Sequence, residues 1–222
     1  MSDILGTLSA WSPELLGPSD TAVIPASWRP IVDADDPVVR RTTALSLWND
    51  GILDRLPRFA PMFRDRLADV RVGAVDGVPV LIYVVTGIHE SVITWIGFDP
   101  GSFGDEPRFW DSFPAAVRVF LRETHAGFMS RGPDQFGIGR PSEMETLAES
   151  ADSPDGVEDW DETHDIGSTR LLIVAREGEL MRYCVSPDAE PDHLIEVYEG
   201  DAYPRLIWES LDALLMLRFE VS

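Results

Sequence analysis

Few side chains in this sequence could start chemistry. Four histidines, His89, His125, His164 and His193, and one cysteine, Cys184, are the groups suited to proton transfer, nucleophilic attack or metal binding near neutral pH. No two histidines stand at the spacing that lets one helix face present two metal ligands, and no His-Glu-x-x-His occurs. The run "DETHD" offers Asp161, His164 and Asp165 as a metal-ligand set, and with it a small metal-dependent hydrolase. A solvated acidic loop accounts for the same residues without a metal. His125 closes an amphipathic run, where an imidazole is expected to meet the last helix carbonyls and the helix dipole. Cys184 lies in the apolar run "LMRYCVS", which predicts a buried, inert thiol. There is no Gly-x-Ser-x-Gly elbow, and carboxylates are so abundant that close pairs arise by chance. The expectation is a protein with no catalytic constellation, no metal and no cofactor.

A phosphate cradle fares no better. In "QFGIGRPS" the third glycine of a dinucleotide fingerprint is missing, and so is the Lys-Ser/Thr pair of a P-loop. Arg140 and Ser142 at a helix N-terminus can bind an anion, but "SEME" matches a capping box, with Ser142 as N-cap and Glu145 reaching back. The glycines therefore frame turns and helix ends.

Charge is the stronger signal. Against 18 basic residues, all of them Arg, stand 39 acidic ones, a formal net charge of -21. Such a chain repels nucleic acid and anionic membrane and attracts basic partners from a distance. Ten Asp or Glu and no Arg fall between Glu143 and Asp165. The plain reading of this stretch is a solvated loop that aids solubility. The sharper one is an anionic contact surface for a basic protein, made of Asp152, Asp155, Glu158, Asp159, Asp161, Glu162 and Asp165, with Trp160 as an aromatic anchor.

The elements that would position these residues follow from periodicity. Residues 1–36 are rich in Pro, Ser and Asp and read as an irregular arm held by Trp11 and Trp28. Short helices are predicted over 37–50 and 57–67. Two β-branched runs flank Asp76-Gly77, a hairpin signal, and "VITWIGF" adds a third strand, giving a meander over 69–98 with Pro79 at a strand start or edge. Residues 99–110 read as a loop and Ser112 or Asp111 as the cap of the next helix, with Pro114 in its first turn. Phe113, Val117, Phe120, Leu121 and Thr124 mark that helix's buried face, and Gly127 its C′ position. After the turn come a strand at "FGIGR", a helix from Ser142 to about Ala151, an acidic loop over 152–167, three strands in 169–199, and a last helix from Ser210 burying Leu211, Leu214 and Leu215. The order predicts one α+β domain over 37–222 with a mainly antiparallel, twisted sheet flanked by helices. No secretory leader, transmembrane run of about 18 apolar residues or cysteine framework is read, so a cytoplasmic protein is expected.

With these segments in place, residues 110–218 resemble the SUKH superfamily of the SMI/KNR type. "FPAAVRVFLRETHAGF" is similar to its proline-led apolar helix and small-residue turn, although Ala126 stands where the family usually has Asn. "FGIGRPSEMETL" is similar to its strand, polar cap and helix, "LLIVAREGELMRYCV" to its strand pair, and "WESLDALLM" to its closing helix. The resemblance implies an α+β binding fold without catalytic residues. Many such proteins are bacterial immunity proteins that neutralise a cognate toxin, often a nuclease; others act as scaffolds or adaptors of secretion or assembly systems. A cognate toxin or another basic protein is the partner this implies.

Overall fold

The Asp76-Gly77 pair turns the chain as expected. Both residues take positive φ, 50° and 79°, as the two-residue hairpin turn matching strand twist requires. Across it β2 (Leu67–Val75) pairs with β3 (Val78–Thr86), and β3 pairs with β4 (Val92–Phe98). Pro79 is the second residue of β3. The computed structural model describes residues 13–131 and 135–220. Within it β5 (Phe128–Arg131), β6 (Gln135–Ile138), β7 (Leu172–Glu177), β8 (Met181–Val185), β9 (His193–Tyr198) and β10 (Asp201–Leu206) continue the same sheet. Each strand is antiparallel to the one before it, and the ten lie in chain order, with the two-residue β1 (Glu14–Leu15) at one edge and β10 at the other. The fold is therefore α+β with one long antiparallel sheet. No helix among the described residues is long and apolar enough to cross a membrane.

Eight α-helices, α1 (Arg29–Val32), α2 (Pro37–Leu45), α3 (Asp50–Leu53), α4 (Phe59–Arg66), α5 (Ala115–Val119), α6 (Leu147–Ser150), α7 (Glu158–Asp161) and α8 (Ile207–Glu220), occur among the described residues. Asp36 caps α2 through the Val38 N–H, with Pro37 in the first turn where no N–H is missed. The main core joins Phe59 and Phe63 of α4, Phe120 beyond α5 and Leu214 of α8 to strand residues such as Trp95 and Phe128. Trp28 is buried in this core as an anchor of the N-terminal section; Trp11 lies outside the described residues.

Several expectations are corrected. The predicted face Phe113, Val117, Phe120, Leu121 and Thr124 is buried, but α5 has no side-chain cap. Asp111 and Ser112 sit in a separate short turn, and Phe113 in extended backbone parts them from the helix. Beyond Val119 the helix widens into a π turn over Phe120–Thr124. Gly127 lies beyond the C′ position. Its φ is 114°, and a Cβ there would stand 2.9 Å from Arg140 Cγ, so close approach to Arg140 is what asks for glycine. Residues 128–131 form a strand where the polar sequence suggested a turn. The last helix begins at Ile207, three residues before Ser210.

His125 is also corrected. Its ring does not turn to the helix carbonyls; it is fully buried, with Nδ1 3.3 Å from the Phe98 carbonyl and Nε2 2.8 Å from the Tyr83 hydroxyl. Trp48 Nε1 donates to the same hydroxyl at 3.0 Å. A carbonyl can only accept, so Nδ1 carries the proton and Nε2 receives the tyrosine's.

Candidate functional site

The C-terminal half of the sheet is apolar on both faces because alternate residues bury in opposite directions. Leu172, Val185 and Leu194 join the main core, while their neighbours Ile173, Cys184 and Ile195 join a second cluster on the outer face. Register places Ile173 beside Cys184 and Cys184 beside Ile195, a continuous apolar row. Burial pushes the Cys184 thiol up to about 12, which fits the expected inert thiol.

The segment 146–168 folds over this row. α6 is held by a capping box in which Thr146 Oγ1 accepts from the Glu149 N–H at 3.1 Å and Glu149 accepts from the Thr146 N–H at 2.9 Å. The bond from the Thr146 N–H, against the cost of burial and helped by the Thr146 hydroxyl and the Arg108 charge, holds the Glu149 carboxyl below its usual range. The box stands four residues later than predicted at Ser142. Residues 141–143 make only a single tight turn, and Arg140 lies over the Phe98 ring and pairs with Glu143. Thr146→Ala should destabilise the protein by about 1 kcal/mol, read as a lower urea midpoint at unchanged slope. No shift in the midpoint would show that the box does not hold α6.

Trp160, expected as an anchor offered to a partner, is instead inward. It is only 7% exposed, packs in the second cluster with Leu147 and Leu171, and donates from Nε1 to the Ile166 carbonyl at 2.9 Å. Its ring stacks on His164 with centroids 3.8 Å apart. The surrounding carboxylates divide. Asp161 Oδ1 accepts from the Ser168 N–H at 2.6 Å, so it ties the end of α7 to the end of the segment. Asp152, Asp155, Glu158, Asp159, Glu162 and Asp165 are exposed, and none makes an ion pair among the described residues. The set Asp161, His164 and Asp165 does not converge as metal ligands. Asp161 is engaged at Ser168, and His164 Nδ1 faces the Trp160 carbonyl at 3.1 Å.

Between this segment and the β9–β10 hairpin runs an open groove of about 530 Å³. Trp160, Leu171, Ile195, Ala202 and Pro204 form its apolar lining; His164 and Asp165 stand on one wall, Asp188, Glu190 and His193 on the other. His193 was among the candidate histidines but was not joined to the acidic surface, and Asp188 and Glu190 lay outside the sequence reading of the site. The only signal in the sequence was the turn-rich stretch "SPDAEPD" between two strand patterns. β10 itself was missed because Pro204 argues against a central strand, and as an edge strand it tolerates proline. Ile207 N–H donates to the Asp192 carbonyl, so by alternation Ala202, Pro204 and Leu206 turn their backbone away from β9. Proline offers no donor on that free edge, which guards it against a further strand.

Fold and site together define an α+β protein with a helix-covered inner sheet face and, on the outer face, an apolar groove flanked by carboxylates that make no ion pair among the described residues. The chain matches no protein-family model, no curated protein and no solved structure.

Proposed function

We propose that this chain is a binding protein, not an enzyme. It acts in the cytoplasm as a SUKH-like immunity protein that occludes a basic bacterial toxin by direct, stoichiometric contact. The observation that carries this reading is the flank of exposed carboxylates, Asp152, Asp155, Glu158, Asp159, Glu162 and Asp165, none of them neutralised by an ion pair among the described residues. On a chain of net charge -21 it presents a field of one sign to an approaching cation. Of the segments that carry the family resemblance, those supplying β7, β8 and the start of α6 contribute to the outer cluster beneath this face, while α5 and α8 pack on the inner one.

The test begins with a pull-down from the native cell at low salt, eluted by a salt step. A basic toxin domain in the eluate supports the reading, whereas a secretion or assembly component with no toxin would replace it with the adaptor reading. With the partner in hand, replacing Asp155, Glu158, Asp159 and Glu162 together by amides should slow association by roughly tenfold or more at low salt and flatten its salt dependence. Unchanged association would remove the flank from the interface. Asp161 and Trp160 stay out of this variant, because both hold the segment in place.

A further inference from the structure

The polar groups along the groove share one property, that of accepting hydrogen bonds. His193 Nδ1 is 3.0 Å from the Pro191 carbonyl and His164 Nδ1 is 3.1 Å from the Trp160 carbonyl. His164 Nδ1 is also 2.9 Å from the Thr163 hydroxyl; with carbonyls that only accept facing both rings, the proton is assigned to each Nδ1, which leaves Nε2 of each neutral imidazole as an acceptor. Thr163 spends its hydroxyl proton on the Asp159 carbonyl at 2.7 Å. Asp165 and Glu190 are exposed carboxylates without an ion pair among the described residues. Around them the lining is apolar. An anion would be repelled by Asp165 and Glu190, whereas a cation on an apolar stem suits both the lining and the carboxylates.

The rim already holds one cation of the chain's own. Arg170 donates to both oxygens of Asp188, from Nε at 2.7 Å and from NH2 at 2.8 Å, a fork-to-fork pair. Asp188 is thereby ion-paired, while Asp165 and Glu190, open to solvent, have no such partner among the described residues.

We infer that the groove between His164 and His193 receives an arginine side chain of the basic partner, its methylenes on the apolar lining and its guanidinium toward Asp165 and Glu190. Guanidinium offers five N–H donors in a plane to acceptors spread over two walls, which the compact ammonium of lysine matches less well. This inference rests on the binding reading above and names the residue class that the partner contributes.

The probe is a blocked Gly-Arg-Gly peptide titrated into the full chain and followed by NMR of the histidine rings. The His164 and His193 resonances should move together and saturate. A citrulline peptide, of the same shape but uncharged, should bind at least about tenfold more weakly, and so should the arginine peptide to the Asp165→Asn, Glu190→Gln double variant. Equal binding of citrulline, or histidine rings that do not respond, overturns the inference. Shifts confined to residues 152–162 would also overturn it while leaving the binding reading intact. If the peptide seats between the histidines but the pull-down returns no basic protein, the groove assignment stands and the immunity reading falls.

Discussion

Trp160→Ala is expected to release the acidic segment from the sheet. The indole is the largest side chain of the second cluster, where it packs with Leu147, Leu171 and Ile173, and its Nε1 satisfies the Ile166 carbonyl. Truncating a buried tryptophan costs about 3–5 kcal/mol in lost burial and cavity formation. Here the loss falls on a covering layer rather than on the main core, which Trp160 does not join. The consequence should be local opening, because a segment held by few apolar residues detaches before the sheet does. Amide exchange should accelerate across 147–168, and proteolysis should appear there, with β2, β3 and β4 still protected. Trp160→Phe keeps most of the apolar area but loses the Nε1 hydrogen bond, and should recover most of the protection. Unchanged exchange in the alanine variant would mean that the segment is held by its caps and by Asp161 alone.

That same residue shows what a sequence can and cannot disclose here. Composition marked Trp160 as unusual in an acidic loop, but nothing local says whether such a ring faces a partner or its own sheet. The answer depends on Ile173, Cys184 and Ile195 forming an outward apolar row, and a one-residue shift in strand register would have turned each of them inward. Period and turn chemistry did reveal the meander around Asp76-Gly77, the buried face from Phe113 to Thr124 and the C-terminal strands, because those signals are local. Caps were misplaced where two candidates competed. Ser142 and Glu145 satisfy the pattern as well as Thr146 and Glu149 do, and the register of Leu147 against Leu171 selects the latter. The groove was invisible because its walls, His164 and His193, come together through sheet pairing and not through any fixed spacing in the chain. The six carboxylates of the flank that make no ion pair among the described residues could be read as a charged run, but which of the ten stay unpaired depends on where the fold brings Arg108, Arg140, Arg176 and Ser168.

Lowering the pH is expected to destabilise the fold through His125. Its ring is packed among Trp48, Tyr83, Phe120 and Phe128, and a Cβ at Gly97 would stand 2.5 Å from it, so no water reaches a charged form. Burial, opposed only by the Phe98 carbonyl, pushes its pKa down from the ordinary 6.5 to about 3. The unfolded chain therefore binds this proton more readily than the folded one. Stability is fully present above the unfolded value near 6.5 and is lost as pH falls toward 3, at about 1.4 kcal/mol per pH unit. Between pH 7 and pH 4 this one group should remove about 3 kcal/mol, a large part of the 5–15 kcal/mol typical of a domain. Asp69, held below its usual range by Arg40 and Arg71 against the opposing cost of burial, adds to the loss. Glu177, raised by burial, and relief of the net negative charge act the other way. The slope must therefore be isolated by comparing urea unfolding of the natural chain with that of His125→Gln over this pH range. The variant should start less stable, since Tyr83 and Phe98 lose a geometry built for an imidazole, yet its stability should fall less steeply with acid. The ring's own signals should hold the neutral Nδ1–H form at pH 5. A ring that titrates between pH 6 and 7 would show that water or a counter-charge reaches it, and the chain from Trp48 through Tyr83 and His125 to Phe98 would then be open in solution.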